Sequence, residues 1–452
     1  MYSSFALIAS YLLFSLGKMA PQAAAQGSHT VSISPLLNKL VGESNTHTPA
    51  DDIAAAFELI FEDQLSAVQC SSLLTILHSS KRDREPLIIA KCAERMREAA
   101  SQVDRKALRE ILRSRGRKEG SYRGGLCDIV GTGGDGHSTF NVSTTASICA
   151  SSLLLLSKHG NRASSSTSGS ADLLQAIQPR APNIEAVTSM TLPDIYRSTN
   201  YAFLFAPKFH PGMRHVAPIR KDLGFRTIFN LLGPLANPVE GAIEARIVGV
   251  AERSLGLIFA EALRMSGARK ALVVCGAEEL DEISCAGKTY CWRLVERSNP
   301  AFRGPKDEAD EDYTTSDEEG EPRMLVEIET LELEPSDFGL SVHPLTEVSP
   351  GKLPHENAEM LMKLLNNQLP RNNAVLDFVL LNTAALFVVS GICDADESSM
   401  GHGNDEKVIR DTGPGGLRWK EGVRRARWAI ESGEALASLK GFIKASNDAV
   451  GQ

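Results

Sequence analysis

Residues 127–136 read CDIVGTGGDG, in which Gly131, Gly133 and Gly136 take the G-x-G-x-x-G spacing that lets backbone amides approach a phosphate closely. Two other groups carry chemistry. Lys158-His159-Gly160-Asn161 follows the apolar run Leu153–Leu156, and Asp281-Glu282 sit together in GAEELDEIS. Glycines and amides to receive oxygens, a lysine to absorb negative charge and a carboxylate pair to hold Mg²⁺ are the groups that polyphosphate chemistry needs.

A dinucleotide site also needs an acidic residue about 20 positions after the glycines, at the end of the second strand. Here Lys158 takes that place, and Asp135 within the loop would repel a bare pyrophosphate. The dinucleotide reading fails on both counts, and a different phosphate site survives. A helix is expected to open with Ser138-Thr139-Phe140-Asn141-Val142-Ser143-Thr144. After Lys158, the stretch from Ser164 to Ser170 runs into a second expected helix, Ala171–Ile177. Either segment alone reads equally as ordinary helix caps. Both together, at successive strand ends, favour a ligand with several phosphates gripped by two helix N-termini and Lys158. Asp281 and Glu282, after the apolar run Ala271–Val274, are the candidate magnesium ligands, whereas Asp135 reads as a residue that organises its own loop.

The elements that position these groups follow from periodicity. From Leu36 to Ala100 the pattern is helical, with Ile53, Phe57, Ile60 and Phe61 on one face. Ser66-Ala-Val-Gln69 reads as a capping box with Val68, Leu73, Leu74 and Leu77 behind it, and Ile88, Cys92 and Met96 mark a third helix. The apolar faces of this small unit need a partner, either the main domain or a second subunit. Beyond Gly124, the runs Cys127–Val130, Leu153–Leu156, Ala202–Phe205, Arg246–Val250 and Ala271–Val274 alternate with helical stretches that include Glu356–Leu369 and Ala374–Val389. That alternation predicts an α/β fold with a mostly parallel sheet, whose ligands collect beyond the carboxyl ends of the strands. The expected organisation is an extension over 1–33, a helical domain over 34–120 joined by part of 185–220, and an α/β domain over 121–452. Polar insertions at 297–325, expected to be disordered, and at 394–416 interrupt the last of these.

The net charge of −8 is concentrated in one place, because residues 306–323 carry −7 of it. The remainder is close to neutral, which disfavours a nucleic-acid binder that relies on phosphate attraction. Of the eight cysteines no two are spaced C-x-x-C, and most lie in apolar runs, as buried free thiols of a reducing, cytoplasmic compartment would. The apolar run 5–16 is short for a membrane span and has no Lys or Arg before it. We read translation as starting at Met19, with a cleaved signal as the alternative.

Taken in order, DIVGTGGDG with STFNVST, KHGNRASSSTSGSADLLQAI, HPGMRHVAPIRKDLGFRTIFNLLGPLANP, DEIS, HENAEMLMKLL, AVLDFVLLNTAAL and EGVRRARWAIESGEAL resemble the anthranilate phosphoribosyltransferase family. The resemblance runs from about Ser34 to the C-terminus and skips the two insertions. It implies a small helical domain plus a larger α/β domain of nucleoside-phosphorylase type, a homodimer formed through the helical domains, and a dependence on Mg²⁺. The implied reaction transfers the 5-phosphoribosyl group of phosphoribosyl pyrophosphate (PRPP) to the amine of anthranilate. By resemblance, Gly131, Gly134, Asp135, Thr139, Asn141, Val142, Ser143, Thr144, Lys158 and Ser170 line the PRPP site. Ser143, Asp281 and Glu282 hold magnesium, and Asn161 and Arg220 meet anthranilate with His159 and His210 nearby. Lys158, Asp281 and Glu282 are the expected catalytic residues. A pyrimidine nucleoside phosphorylase-like ribosyl transferase and a catalytically silent binding homologue are the alternatives.

Overall fold

The computed structural model describes residues 31–42, 48–163, 167–300, 323–349, 353–398, 400–404 and 407–449. The N-terminal extension before residue 31, the centre of the acidic insertion (301–322) and Ser164–Ser166 lie outside the described residues.

Seven strands form one sheet in the order β3-β2-β1-β4-β5-β6-β7. These are β1 (Leu126–Gly131), β2 (Leu155–Gly160), β3 (Tyr201–Phe205), β4 (Ile243–Gly249), β5 (Lys270–Gly276), β6 (Thr289–Ser298) and β7 (Met324–Leu333). The first five pair in parallel, and β6 and β7 close one side as antiparallel neighbours. Because β1 to β5 run parallel their carboxyl ends share one rim, and the strand order changes direction between β1 and β4.

The central strands are apolar because both faces are covered. Along β5, Leu272 and Val274 enter one hydrophobic cluster, while Ala271, Val273 and Cys275 enter another on the opposite face. The first cluster holds the Ala374–Ser390 helix, all 17 residues of which are buried. It also holds Val103, Leu108 and Ile111, so the Arg105–Arg115 helix packs with the larger α/β unit. The second cluster gathers the helices Ala50–Phe61, Ala67–Ser79 and Pro86–Glu98 together with Val216, Ile228 and Phe229. Phe57 and Phe229 meet there, with ring centroids 5.2 Å apart.

Several local expectations are corrected. Leu153 and Leu154 precede β2, which instead runs on through Lys158 and His159 to Gly160. The helix expected from Ser138 starts at Val142, leaving Ser138–Asn141 as loop. The helix expected to reach Leu369 ends at Leu365. Ser66 does cap its helix by accepting from Gln69 N, but the Gln69 side chain accepts from Ile33 N at 2.8 Å instead of reaching back, so only half of the box forms. Val68 is 75% exposed. The acidic insertion is narrower than 297–325, because β6 continues to Ser298 and β7 begins at Met324. The second insertion is tied to the core. Trp428 Nε1 donates to His402 O at 2.9 Å, and Ile409 N donates to the buried Glu421 carboxylate at 2.9 Å.

Candidate active site

The sheet rim brings the three segments singled out in the sequence into one place. β1 delivers the glycine loop, β2 delivers Lys158 and His159, and the loop after β5 delivers Asp281 and Glu282. A small cavity at this rim is lined by Ile129, Ser143, Gly249, Asp281, Glu282 and Asn382, among others.

Lys158 is 2% exposed, and its Nζ donates to Ile129 O at 2.5 Å with Ser143 Oγ at 3.4 Å. Burial pulls its ammonium below the usual lysine range, while Asp128 opposes that shift. Asp128 lies buried on β1 and accepts at 3.0 Å from Asn237 Nδ2, which also donates to Ser157 O at 2.9 Å. Asn237 therefore ties the strand under the lysine to the strand that carries it.

Asp281 Oδ2 accepts from Gly133 N at 2.6 Å. Burial and then the charge of Asp135 push the Asp281 carboxyl from the ordinary 3.8 up to about 7. Burial and then Asp281 push Glu282 well above the usual range, and its buried Oε2 has no hydrogen-bond partner. Carboxylates brought to the rim from the loops after β1 and β5, one with an orphaned oxygen, form an electrostatic debt that a divalent cation would cancel. Among the described residues no three His, Cys, Asp or Glu side chains close around a metal by themselves. The site therefore offers two carboxylates and the Ser143 hydroxyl, which is the pattern expected when water and substrate oxygens complete the shell. Asn382 holds this segment rigid, accepting from Ile283 N at 3.1 Å and donating to Ile283 O at 3.2 Å. Gly249 lets it approach, since a Cβ there would lie 1.6 Å from Asp281 O. Gly131 serves likewise, its Cβ position being 2.3 Å from Asp281 Oδ2.

The second helix N-terminus stands beside the first. Asn141 Nδ2 donates to Ser168 O at 2.8 Å, Ser168 Oγ donates to Asn141 Oδ1 at 3.1 Å, and Thr144 Oγ1 donates to Ser170 Oγ at 2.8 Å. Val142 is fully buried, so its side chain belongs to the core. Thr139 is half-buried in the loop, and Asp135 Oδ1 accepts from His137 N at 3.1 Å, organising that loop.

The four residues expected at or beside anthranilate are His159, Asn161, His210 and Arg220. His159 and His210 meet edge to face, with centroids 5.1 Å apart. His210 Nε2 donates to Ala236 O at 2.9 Å, and burial lowers this histidine to about 4. Burial lowers His159 well below its ordinary range as well, with His210 adding to the shift. Both rings are therefore neutral, and each keeps one buried nitrogen without a partner, Nε2 of His159 and Nδ1 of His210. Asn161 is exposed, and its Oδ1 accepts from Arg162 N at 2.8 Å. The Arg220 guanidinium sits over the Phe229 ring, 5.8 Å from its centroid. Burial and the neighbouring Arg226 lower its pKa. Asp128, Arg226, Asn237, Gly249 and Asn382 escaped the sequence reading. Of these, a carboxylate inside an apolar strand, as at Asp128, was the one available signal.

Comparison with known proteins shows the family. The chain matches the model "Glycosyl transferase family, a/b domain" over residues 123–303 and 304–436. An anthranilate phosphoribosyltransferase of Schizosaccharomyces pombe is 37% identical over 395 residues, covering 87% of this chain and 92% of that protein. The structure of anthranilate phosphoribosyltransferase from Saccharomyces cerevisiae in complex with PRPP and Mg superposes with a TM-score of 0.70 at 32% identity, covering 92% of this chain and 99% of that one. The same yeast enzyme in complex with 4-fluoroanthranilate gives 0.66 at 31% identity, covering 91% and 96%. With the family model matched over residues 123–436 and relatives above 30% identity covering most of the chain, the chain belongs to the anthranilate phosphoribosyltransferase family.

Proposed function

We propose that the rim of β1, β2 and β5 is the catalytic centre at which this chain transfers the phosphoribosyl group of PRPP to the amine of anthranilate, releasing pyrophosphate. The supporting observation is that Lys158, the Asp281-Glu282 pair and Ser143 at the first helix N-terminus meet on one strand rim, with the second helix N-terminus joined to the first through Thr144 and Ser170. Gly131, Gly134, Asp135, Thr139, the backbone and hydroxyls of Asn141 to Thr144, and Ser170 receive PRPP oxygens. Asp281, Glu282 and Ser143 hold Mg²⁺, which when bound neutralises pyrophosphate as it leaves.

Displacement at a ribosyl anomeric carbon passes through an oxocarbenium-like transition state. Lys158 is fixed before substrate arrives and meets the charge that develops on the leaving oxygen, so no reorganisation is required during the reaction. The aryl amine is neutral at pH 7 and needs alignment more than deprotonation, which suits two neutral histidines. Arg220 offers a planar fork to the benzoate carboxylate, and Asn161 adds an amide. Anthranilate fluorescence followed with PRPP and Mg²⁺, and repeated with EDTA, tests the reading. Metal-dependent loss with stoichiometric pyrophosphate carries it, and no loss with PRPP still bound withdraws the acceptor assignment.

The helices from Ser34 to Glu98 with 206–235 form the small domain in this reading, and two copies pair through it. Val41 and Val68, 73% and 75% exposed on neighbouring helices, are the apolar surface that supports a homodimer. All eight cysteines are free and buried, which fits a cytoplasmic setting. Among the described residues no helix is long and apolar enough to cross a membrane. Light scattering of wild-type and Val68→Glu protein tests the dimer.

A further inference from the structure

Arg226 crosses from the helical unit to the glycine loop. It follows the Met213–Leu223 helix and precedes Ile228 and Phe229, both buried in the helical cluster. Its Nη2 donates to Gly133 O at 3.0 Å. The amide of that same Gly133 donates to Asp281 Oδ2 at 2.6 Å. One residue of the loop is thus held from both sides, its carbonyl by a cation and its N–H by a candidate metal ligand. Gly133 and Gly134 both have left-handed backbone, with φ of 65° and 79°. A Cβ at Gly134 would lie 1.4 Å from Arg226 Nη1, so the guanidinium fills the volume a side chain at 134 would need.

We propose that Arg226 is a positioning residue that clamps the Gly133 carbonyl across the cleft and so holds the phosphate-binding loop against Asp281. On this view, Gly134 is side-chain-free to admit the clamp as well as a ligand. The functional part of the proposal rests on the reading that the loop receives PRPP. The physical part does not, because the clamp is made entirely of this chain's own atoms. A charge-assisted hydrogen bond to a carbonyl on a glycine-rich loop removes motion that ligand binding would otherwise have to suppress. Burial and then the charge of Arg226 lower the Arg220 pKa, so Arg226 also stands near the residue assigned to anthranilate.

Amide hydrogen exchange on the full chain without ligand tests the clamp directly, comparing wild type with Arg226→Ala, Gly134→Ala and the double variant. Each single change is expected to speed exchange at residues 131–137 by about tenfold or more, and the double change is expected to add little, since both remove one contact. Exchange in Arg226→Ala that matches wild type overturns the clamp, whatever the enzyme's substrates prove to be.

Steady-state kinetics test its consequence. Arg226→Ala should raise KM for PRPP about tenfold while kcat and KM for anthranilate stay within about twofold, and Arg226→Lys should recover most of the loss. A raised KM for PRPP in Arg226→Ala with exchange at 131–137 unchanged would show Arg226 acting on the substrate itself, and the positioning role falls. A wild-type enzyme inert to both substrates defeats the functional reading alone, and the exchange experiment still decides the clamp.

Discussion

Lys158 Nζ lies 2.5 Å from the carbonyl oxygen of Ile129, so the one buried lysine of the rim is anchored across the β1–β2 pair before any ligand arrives. The aim of this cation is set by strand register and not by the ligand. Lys158→Met should therefore lower kcat/KM for PRPP by roughly 10²–10³, the range for loss of one preorganised donor at a reacting group. Thermal unfolding run beside the assay separates this from a broken core. Activity lost together with the cooperative transition would assign Lys158 to structure instead.

The paired carboxylates predict metal dependence. EDTA should abolish turnover, and excess Mg²⁺ should restore it. Asp281→Asn and Glu282→Gln should each cost about 10²-fold or more in kcat and raise the Mg²⁺ concentration for half-maximal rate. A variant with an unchanged Mg²⁺ titration removes that residue from the metal set.

Gly249 gives a backbone test of the same segment. The atom that an added Cβ would strike is the carbonyl oxygen of Asp281, which cannot swing aside as a side chain would. Gly249→Ala should push the Asp281 loop off the rim, costing about 1–3 kcal/mol in stability and most of the activity. Urea unfolding read together with the Mg²⁺ titration would show it. Wild-type values in both would mean that the loop shifts without consequence.

The parts of this site visible in the sequence are those set by short-range pattern. Strands β1 to β5 announced themselves as apolar runs because both of their faces are buried. Strands β6 and β7 did not, because Trp292, Arg293, Glu327 and Glu329 alternate on a half-exposed ribbon and resemble the acidic insertion they flank. The glycine loop, the lysine and the acidic pair were legible as chemistry, but their meeting depends on strand order. The supporting residues were hidden for a related reason. Asn237 and Asp128 are 109 residues apart, and Arg226 and Gly133 are 93 apart, so no local spacing reports either contact.

Arg220 carries a prediction about selectivity. Its fork, placed over Phe229, is assigned to the acceptor carboxylate, so Arg220→Lys should raise KM for anthranilate about tenfold and leave KM for PRPP nearly unchanged. The split between the two KM values is the readout. Equal increases for both substrates would move Arg220 to a general role in the cleft.

The buried histidines predict the acid limb of stability. His210 is lowered to about 4 in the folded chain against an ordinary 6.5, so the fold keeps it neutral while the unfolded chain takes up a proton. The stability contributed by the neutral ring is complete above pH 6.5. It is lost progressively as pH falls towards 4, and below that the term is constant. His159 adds in the same direction. Urea midpoints should therefore drop between pH 7.5 and 5.0. His210→Gln keeps an amide donor for Ala236 O but has nothing to titrate, so its midpoints should fall less over the same interval. An equal fall in both proteins would place the acid sensitivity elsewhere, with the carboxylates as the next groups to test.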